Sequence, residues 1–182
     1  GSAEDITEPL KKLIANKDVL ELTSLNETIY IHKNFLEEKQ IELLKLLKEF
    51  HNNNPLLIGE NTSTLRNKVF SKKIKNKNYL EILSKLEDDK VIKVNSNLVS
   101  IFDFEIKLSK DQEKIKDIIL KTYKNNGYKP PKYDELSKLA ENPNDLKKVF
   151  DMMVLLGKLK FIEKDIFLLE SDYNRLMTII NQ

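Results

Sequence analysis

Apolar positions recur along the chain in a fixed order: a stretch with helical spacing, then two short extended runs around a polar turn. Three copies of this pattern are present. The first reads Leu10–Leu22, a polar turn and Thr28–Ile31. The second and third consist of Leu80–Leu86, Val91–Val94 and Leu98–Phe102, and of Val149–Leu156, Leu159–Ile162 and Ile166–Leu169. Tyr30, Val99 and Phe167 mark comparable points in the three copies, 69 and 68 residues apart. The regular spacing indicates one structural unit repeated along the chain.

A helix that leads directly into a two-stranded hairpin is typical of the last helix and wing of a winged helix-turn-helix domain. The spacing of about 70 residues fits the lower range of domain sizes. The sequence therefore predicts an α+β fold, mainly helical, built from tandem winged helix-turn-helix domains. The predicted parts are 3–33 (last helix and wing of a first winged helix), 34–106 and 107–170 (two winged-helix domains), and 171–182 (a C-terminal helix that begins a truncated further unit).

Local signals place the helix ends within these units. Asn34-x-x-Glu37 and Ser109-x-x-Gln112 each have the spacing of a capping box, and Asn142 before a proline predicts another helix start. Leu56–Ile58, between Pro55 and Gly59, is predicted to be a short strand. Ser171 is expected to cap the final helix.

Two helical faces are expected to supply the core of the second unit. On the first helix, Ile41, Leu44 and Leu47, with Leu43, Leu46 and Phe50, form a wide apolar stripe. Leu80, Leu83 and Leu86 share one face of the third. His51 closes the first of these helices, where a cationic side chain would complement the helix dipole.

The composition limits the function classes. The 31 basic and 29 acidic residues leave a net charge of only +2, so any contact with nucleic acid must come from a local patch. The absence of cysteine excludes disulfides and thiolate metal sites. No apolar run approaches the roughly 20 residues that span a bilayer, so no membrane partner is expected. Gly1-Ser2 is typical of a tag remnant, and we expect a piece of a longer protein.

No catalytic or metal-binding pattern is present. His32 and His51 lack the spacing of metal ligands, and no glycine-rich phosphate loop occurs. We therefore expect no catalytic residues, no metal and no cofactor in this segment, and no enzymatic activity.

Two groups of lysines are the candidate contacts for RNA. The segment 71–77 carries four lysines and no acid, and it would lie beside the third helix of a winged helix; a second group surrounds the Pro-Pro turn. The predicted RNA-binding residues are Lys72, Lys73, Lys75, Lys77, Lys124, Lys129 and Lys132. Contact with phosphates is geometrically plausible for them. The alternative is that both groups are solvated turns of a lysine-rich protein.

The predicted third helices do not suit reading of a DNA groove. In the second unit this helix offers Glu81, Glu87 and Asp88 against Lys85, whereas groove-reading helices present mainly Arg, Asn and Gln to the bases. The chain has only two arginines, Arg66 and Arg175. A supporting role in a scaffold is the better interpretation of these helices.

The string Phe50-His51-x-x-x-Pro55-Leu56-x-x-Gly59, followed by Leu65-Arg66, resembles the C-terminal winged-helix region of the bacterial selenocysteine-specific translation elongation factor, SelB. Gly127-Tyr-Lys-Pro-Pro131, Leu139 and Leu156-Gly-Lys-Leu159 fit the next unit of the same family. The resemblance covers most of 34–182.

The resemblance implies a cytoplasmic, monomeric translation factor. In that family an N-terminal GTPase, with GTP and magnesium, carries selenocysteinyl-tRNA, and winged helices reach along the ribosome to an mRNA hairpin. This segment would be the linking arm. The alternative is a tandem winged-helix regulator that binds DNA, or a protein-protein interaction module.

Overall fold

A computed structural model of the protein describes residues 3–16, 18–24, 27–71, 74–127 and 129–182. The chain divides into two compact units, Gly1–Glu105 and Ile106–Gln182. The structure is 58% helical with small sheets, which confirms the predicted α+β, mainly helical fold. The four-part division of the chain and its tandem arrangement stay predictions.

The described part of the first unit alternates helices with short antiparallel strands. Its elements are α1 (Ala3–Ala15), β1 (Val19–Ser24), β2 (Glu27–His32), α2 (Lys33–Asn53), β3 (Glu60–Asn61), α3 (Thr62–Leu65), a π-helical segment (Arg66–Phe70), α4 (Asn76–Asp88), β4 (Ile92–Asn95) and β5 (Leu98–Ile101). β1 pairs with β2, and the other sheet has the order β3-β5-β4. Within the run Leu10–Leu22, helix α1 ends at Ala15 and strand β1 begins at Val19.

One core holds the first unit together. Tyr79, Ile82, Leu83 and Leu86 of α4 are buried at helical spacing, and they share the core with residues of α2, with β4 and β5, and with Ile31 of β2. The β1–β2 hairpin thus packs on the same core as the elements that follow it.

Two residues of the predicted core faces are exposed. Leu80 is 50% exposed and Ile41 is 68% exposed, so neither belongs to the core. Leu43 and Leu47 of the predicted stripe are buried, together with Leu36. Both helices carry apolar residues on more than one face, so the spacing alone does not show which face is buried.

One predicted helix start and one predicted strand lie at different residues in the structure. His32, not Asn34, caps α2, because its Nδ1 accepts a hydrogen bond from the backbone N–H of Asn34 at 3.2 Å. The strand expected at Leu56–Ile58 lies at Glu60–Asn61, where Glu60 pairs with Val99 and Asn61 with Leu98.

The second unit repeats the order of helices and hairpin. Its elements are α5 (Lys110–Asn126), α6 (Tyr133–Ser137), α7 (Pro143–Leu155), β6 (Leu159–Glu163), β7 (Ile166–Leu169) and α8 (Glu170–Ile180). Ser109 and Gln112 form both hydrogen bonds of a capping box, and Asn142 caps α7 through its side chain, as the sequence predicts. The cap expected at Ser171 was wrong, because α8 begins at Glu170 directly after β7, without a side-chain cap.

Candidate nucleic-acid interface

The lysine-rich segment connects the π-helical segment to α4 in the first unit. Lys75 is exposed at the N-cap of α4, and Lys77 lies in its first turn, half-buried. A lysine has no acceptor with which to cap the helix, so the Lys75 side chain does not offset the partial positive charge of the helix N-terminus. Such an arrangement attracts anions. Lys72 and Lys73 of the same prediction lie outside the described residues.

Arg66 anchors this segment. Its Nη2 donates to the carbonyl oxygen of Ile74, and its Nη1 donates to Oδ1 of Asn76 at 3.3 Å. Ser71 adopts a φ of 61° where the π-helical segment ends, a conformation that residues other than glycine rarely take. The arginine therefore holds the backbone of this segment, and Lys75 is an exposed cation beside it.

The second lysine group divides between two grooves of the second unit. Lys129 and Lys132 line one groove of about 580 Å³, together with Pro130 and Ile166. Lys124 lines another, of about 280 Å³, beside Arg175 of α8. Arg175 was missing from the predicted site, since its neighbours in sequence are not basic and only the fold brings it near Lys124.

The outer surface of α4 offers few cations to a nucleic acid. Lys85 pairs with both carboxylate oxygens of Asp89, at 2.5 and 2.6 Å, and Glu87 accepts a hydrogen bond from the backbone N–H of Val94 at 2.8 Å. In the second unit, Lys147 of α7 pairs with Asp151 at 2.6 Å, and this hydrogen bond raises the pKa of Lys147. These ion pairs leave both helices poorly suited to groove reading.

His51 has a different role from the predicted cation at a helix end. The side chain is buried, its ring stacks on that of Phe104 with 3.5 Å between centroids, and its Nε2 lies 3.4 Å from the backbone N of Ile101, from which it accepts a hydrogen bond. Burial lowers the pKa of His51 from its usual value of 6.5. The imidazole is therefore a neutral acceptor that joins α2 to the end of β5.

Over the part of the chain that the structure describes, no three His, Asp or Glu side chains lie close enough together to hold a metal ion. Among the same residues, no helix has the length and apolarity to cross a membrane. The candidate site in the first unit consists of Lys75 and Lys77, at the turn before α4 and in the first turn of that helix.

Comparison with known families identifies the region that contains this turn. Residues 44–101 match the winged helix of elongation factor SelB. This stretch runs from the middle of α2 through α3, α4 and both strands of the wing, and it includes all four lysines of the segment 71–77. No curated protein matches the chain. The first unit therefore contains a SelB-like winged-helix domain.

Proposed function

We propose that this chain is the non-catalytic arm of a selenocysteine-specific translation elongation factor. The observation that carries the proposal is the match of 44–101 to the winged helix of elongation factor SelB. In this proposal the arm is a cytoplasmic monomer that links a GTPase body, which binds GTP, magnesium and selenocysteinyl-tRNA, to an mRNA hairpin on the ribosome.

The arm would touch RNA through phosphates. Lys75 and Lys77 flank the N-terminus of α4, and Arg66 holds the backbone between the π-helical segment and that helix. Contacts to phosphate position a protein on RNA without reading its sequence. We therefore expect weak binding that does not distinguish one hairpin sequence from another.

The alternative, a regulator that reads duplex DNA, receives less support from the same residues. The charged side chains of α4 are largely acidic or engaged in ion pairs, as with Lys85 and Asp89. A recognition helix in the major groove lies close to two rows of phosphates, and carboxylates on that helix would oppose the approach.

The test measures binding of an mRNA hairpin and of a scrambled hairpin over a range of salt concentrations. Both should bind about equally, and both should weaken from low to physiological salt, because each neutralised phosphate contributes roughly 0.7–0.9 to the slope of log affinity against log salt. Replacing Lys72, Lys73, Lys75 and Lys77 with alanine should flatten this slope and leave the fold unchanged.

The matched control is the double variant K45A/K48A, which removes two exposed lysines from α2. It should bind like the wild type. Selective hairpin binding that survives the quadruple change would place the site elsewhere, with Lys124, Lys129 and Lys132 as the next candidates. Tight binding to duplex DNA would favour the regulator instead.

A further inference from the structure

An apolar pocket of about 430 Å³ lies directly beside the lysine segment in the first unit. β2 contributes Tyr30 and His32, α2 contributes Phe35, and Ile74 and Asn78 come from the lysine segment and α4. Two of these side chains are large and aromatic yet open to solvent: Tyr30 is 46% exposed and Phe35 is 41% exposed. The pocket therefore offers ring surface to a ligand that approaches from outside.

The lysines and the pocket belong to the same stretch of backbone. Ile74 lies between Lys73 and Lys75 in the sequence, and Asn78 follows Lys77. Because consecutive Cα atoms are about 3.8 Å apart, the backbones of Lys75 and Lys77 are each adjacent to a residue of the pocket wall. The hydrogen bond from Arg66 to the carbonyl of Ile74 holds this wall in place, so the site is formed before any ligand arrives.

The charge around the pocket favours an anionic partner. No carboxylate is among the described residues that line the pocket. By contrast, the cavity beside Tyr133 and Phe167 in the second unit is lined by three aspartates, Asp134, Asp151 and Asp165, against two lysines, and is less suited to phosphate.

We propose that this pocket receives an unpaired base of RNA, with the phosphates of the same strand on Lys75 and Lys77. Aromatic faces beside a basic track are the combination by which proteins bind single-stranded RNA. Asn78 and His32 add hydrogen-bonding groups at the pocket wall. This inference rests on the proposed contact with RNA and adds to it a preference for unpaired strands over duplex, without a strong preference for one base.

The experiment compares three labelled probes of equal length with the full chain at low salt: single-stranded oligouridylate, the same oligomer with abasic positions, and duplex RNA. The wild type should bind the oligouridylate most tightly. Phe35→Ala should weaken that binding roughly tenfold, because stacking of one base on an aromatic side chain contributes on the order of 1–3 kcal/mol. Binding of the abasic and duplex probes should not change.

Matched variants separate stacking from folding. Phe35→Tyr keeps the ring and should bind like the wild type, whereas Phe35→Leu keeps apolar volume without the ring and should behave like Phe35→Ala. Phe161→Ala removes a 62% exposed ring from the second unit and should have no effect. Thermal melting of each variant checks that the fold is intact.

The outcomes distinguish the two proposals. If the wild type binds RNA but prefers duplex, or if Phe35→Ala binds oligouridylate like the wild type, the pocket proposal is overturned and the lysine contact stands. If the wild type binds none of the three probes, both proposals fail. If the lysine variants reduce the salt slope while Phe35→Ala reduces affinity at an unchanged slope, both are supported.

Discussion

Leu83 illustrates how a single position of α4 contributes to the first unit. It is 2% exposed and shares the core with Leu43 and Leu47 of α2, whereas Leu80, three residues earlier, is 50% exposed. Two leucines on one helix therefore lie in different environments. Comparing their truncation measures how much burial of a leucine contributes to stability.

Leu83→Ala should lower the free energy of unfolding by roughly 2–5 kcal/mol, the range for truncating a buried leucine, because the core loses apolar contacts and gains a cavity. Leu80→Ala should change it by less than about 0.5 kcal/mol, as is usual for surface positions. Urea unfolding of both variants makes the comparison. Similar losses at the two positions would contradict the orientation of α4.

His51 links the stability of the first unit to pH. Burial lowers its pKa in the folded chain below the usual 6.5. Well above pH 6.5 the imidazole is neutral in both states and contributes no pH dependence. Below it, the unfolded chain takes up a proton that the folded chain does not, so stability falls as the pH falls towards the folded pKa.

Urea unfolding at pH 7.5, 6.5 and 5.5 should show this loss in the wild type. His51→Gln keeps a hydrogen-bond acceptor for the N–H of Ile101 and removes the titrating group, and the loss over this interval should shrink. His32→Asn is the control, because asparagine is also a good N-cap and the loss should persist. Equal pH dependence in the wild type and His51→Gln would exclude this role for His51.

At the scale of elements, a close approach of two backbones determines where the short strand β3 lies. A Cβ added to Gly59 would lie 2.3 Å from the carbonyl oxygen of Val99 on β5. In the second unit Pro130 and Pro131 lie shortly before α6, and proline cannot donate a ladder hydrogen bond. The described part of that unit accordingly has a two-stranded sheet, β6 with β7.

Gly59→Ala should destabilise the first unit by roughly 1–3 kcal/mol, since overpacking against backbone forces the strands apart. The loss should be measurable by urea unfolding and accompanied by faster hydrogen exchange at Glu60 and Asn61, next to the strained contact. A change below about 0.5 kcal/mol would mean that β3 shifts without cost, and that its pairing with β5 contributes little.

Capping residues show which local features can be predicted from a few neighbouring positions. The capping box at Ser109 and Gln112 and the cap at Asn142 need only a polar side chain and a helix that follows, and both were confirmed. The cap of α2 was wrong by two residues, because His32 is not among the usual N-cap residues. Its Nδ1 nevertheless reaches the N–H of Asn34.

At the scale of the whole molecule, each of the two compact units contains helices followed by a β-hairpin. The first unit contains the SelB-like winged helix. The candidate RNA contacts divide between them: Lys75 and Lys77 belong to the first unit, and Lys124, Lys129 and Lys132 to the second. Each unit can therefore be tested by its own lysine variants.

The sequence by itself determined the features that depend on local order. Helical spacing, hairpin turns and caps involve residues a few positions apart, so the mainly helical α+β fold, the second and third hairpins and the acid-free segment 71–77 could be predicted. The resemblance to SelB likewise depends on short strings such as Phe50–Gly59.

Only the tertiary structure decided the features that depend on burial between distant segments. It covers Leu83 and exposes Leu80, it surrounds His51 with Phe104 and Ile101, and it brings Tyr30 and Phe35 to Ile74 to form a pocket. In these last two cases, desolvation and packing act between residues about 40 to 50 positions apart in the sequence. A pattern read within a short window of sequence does not show which distant residues come into contact.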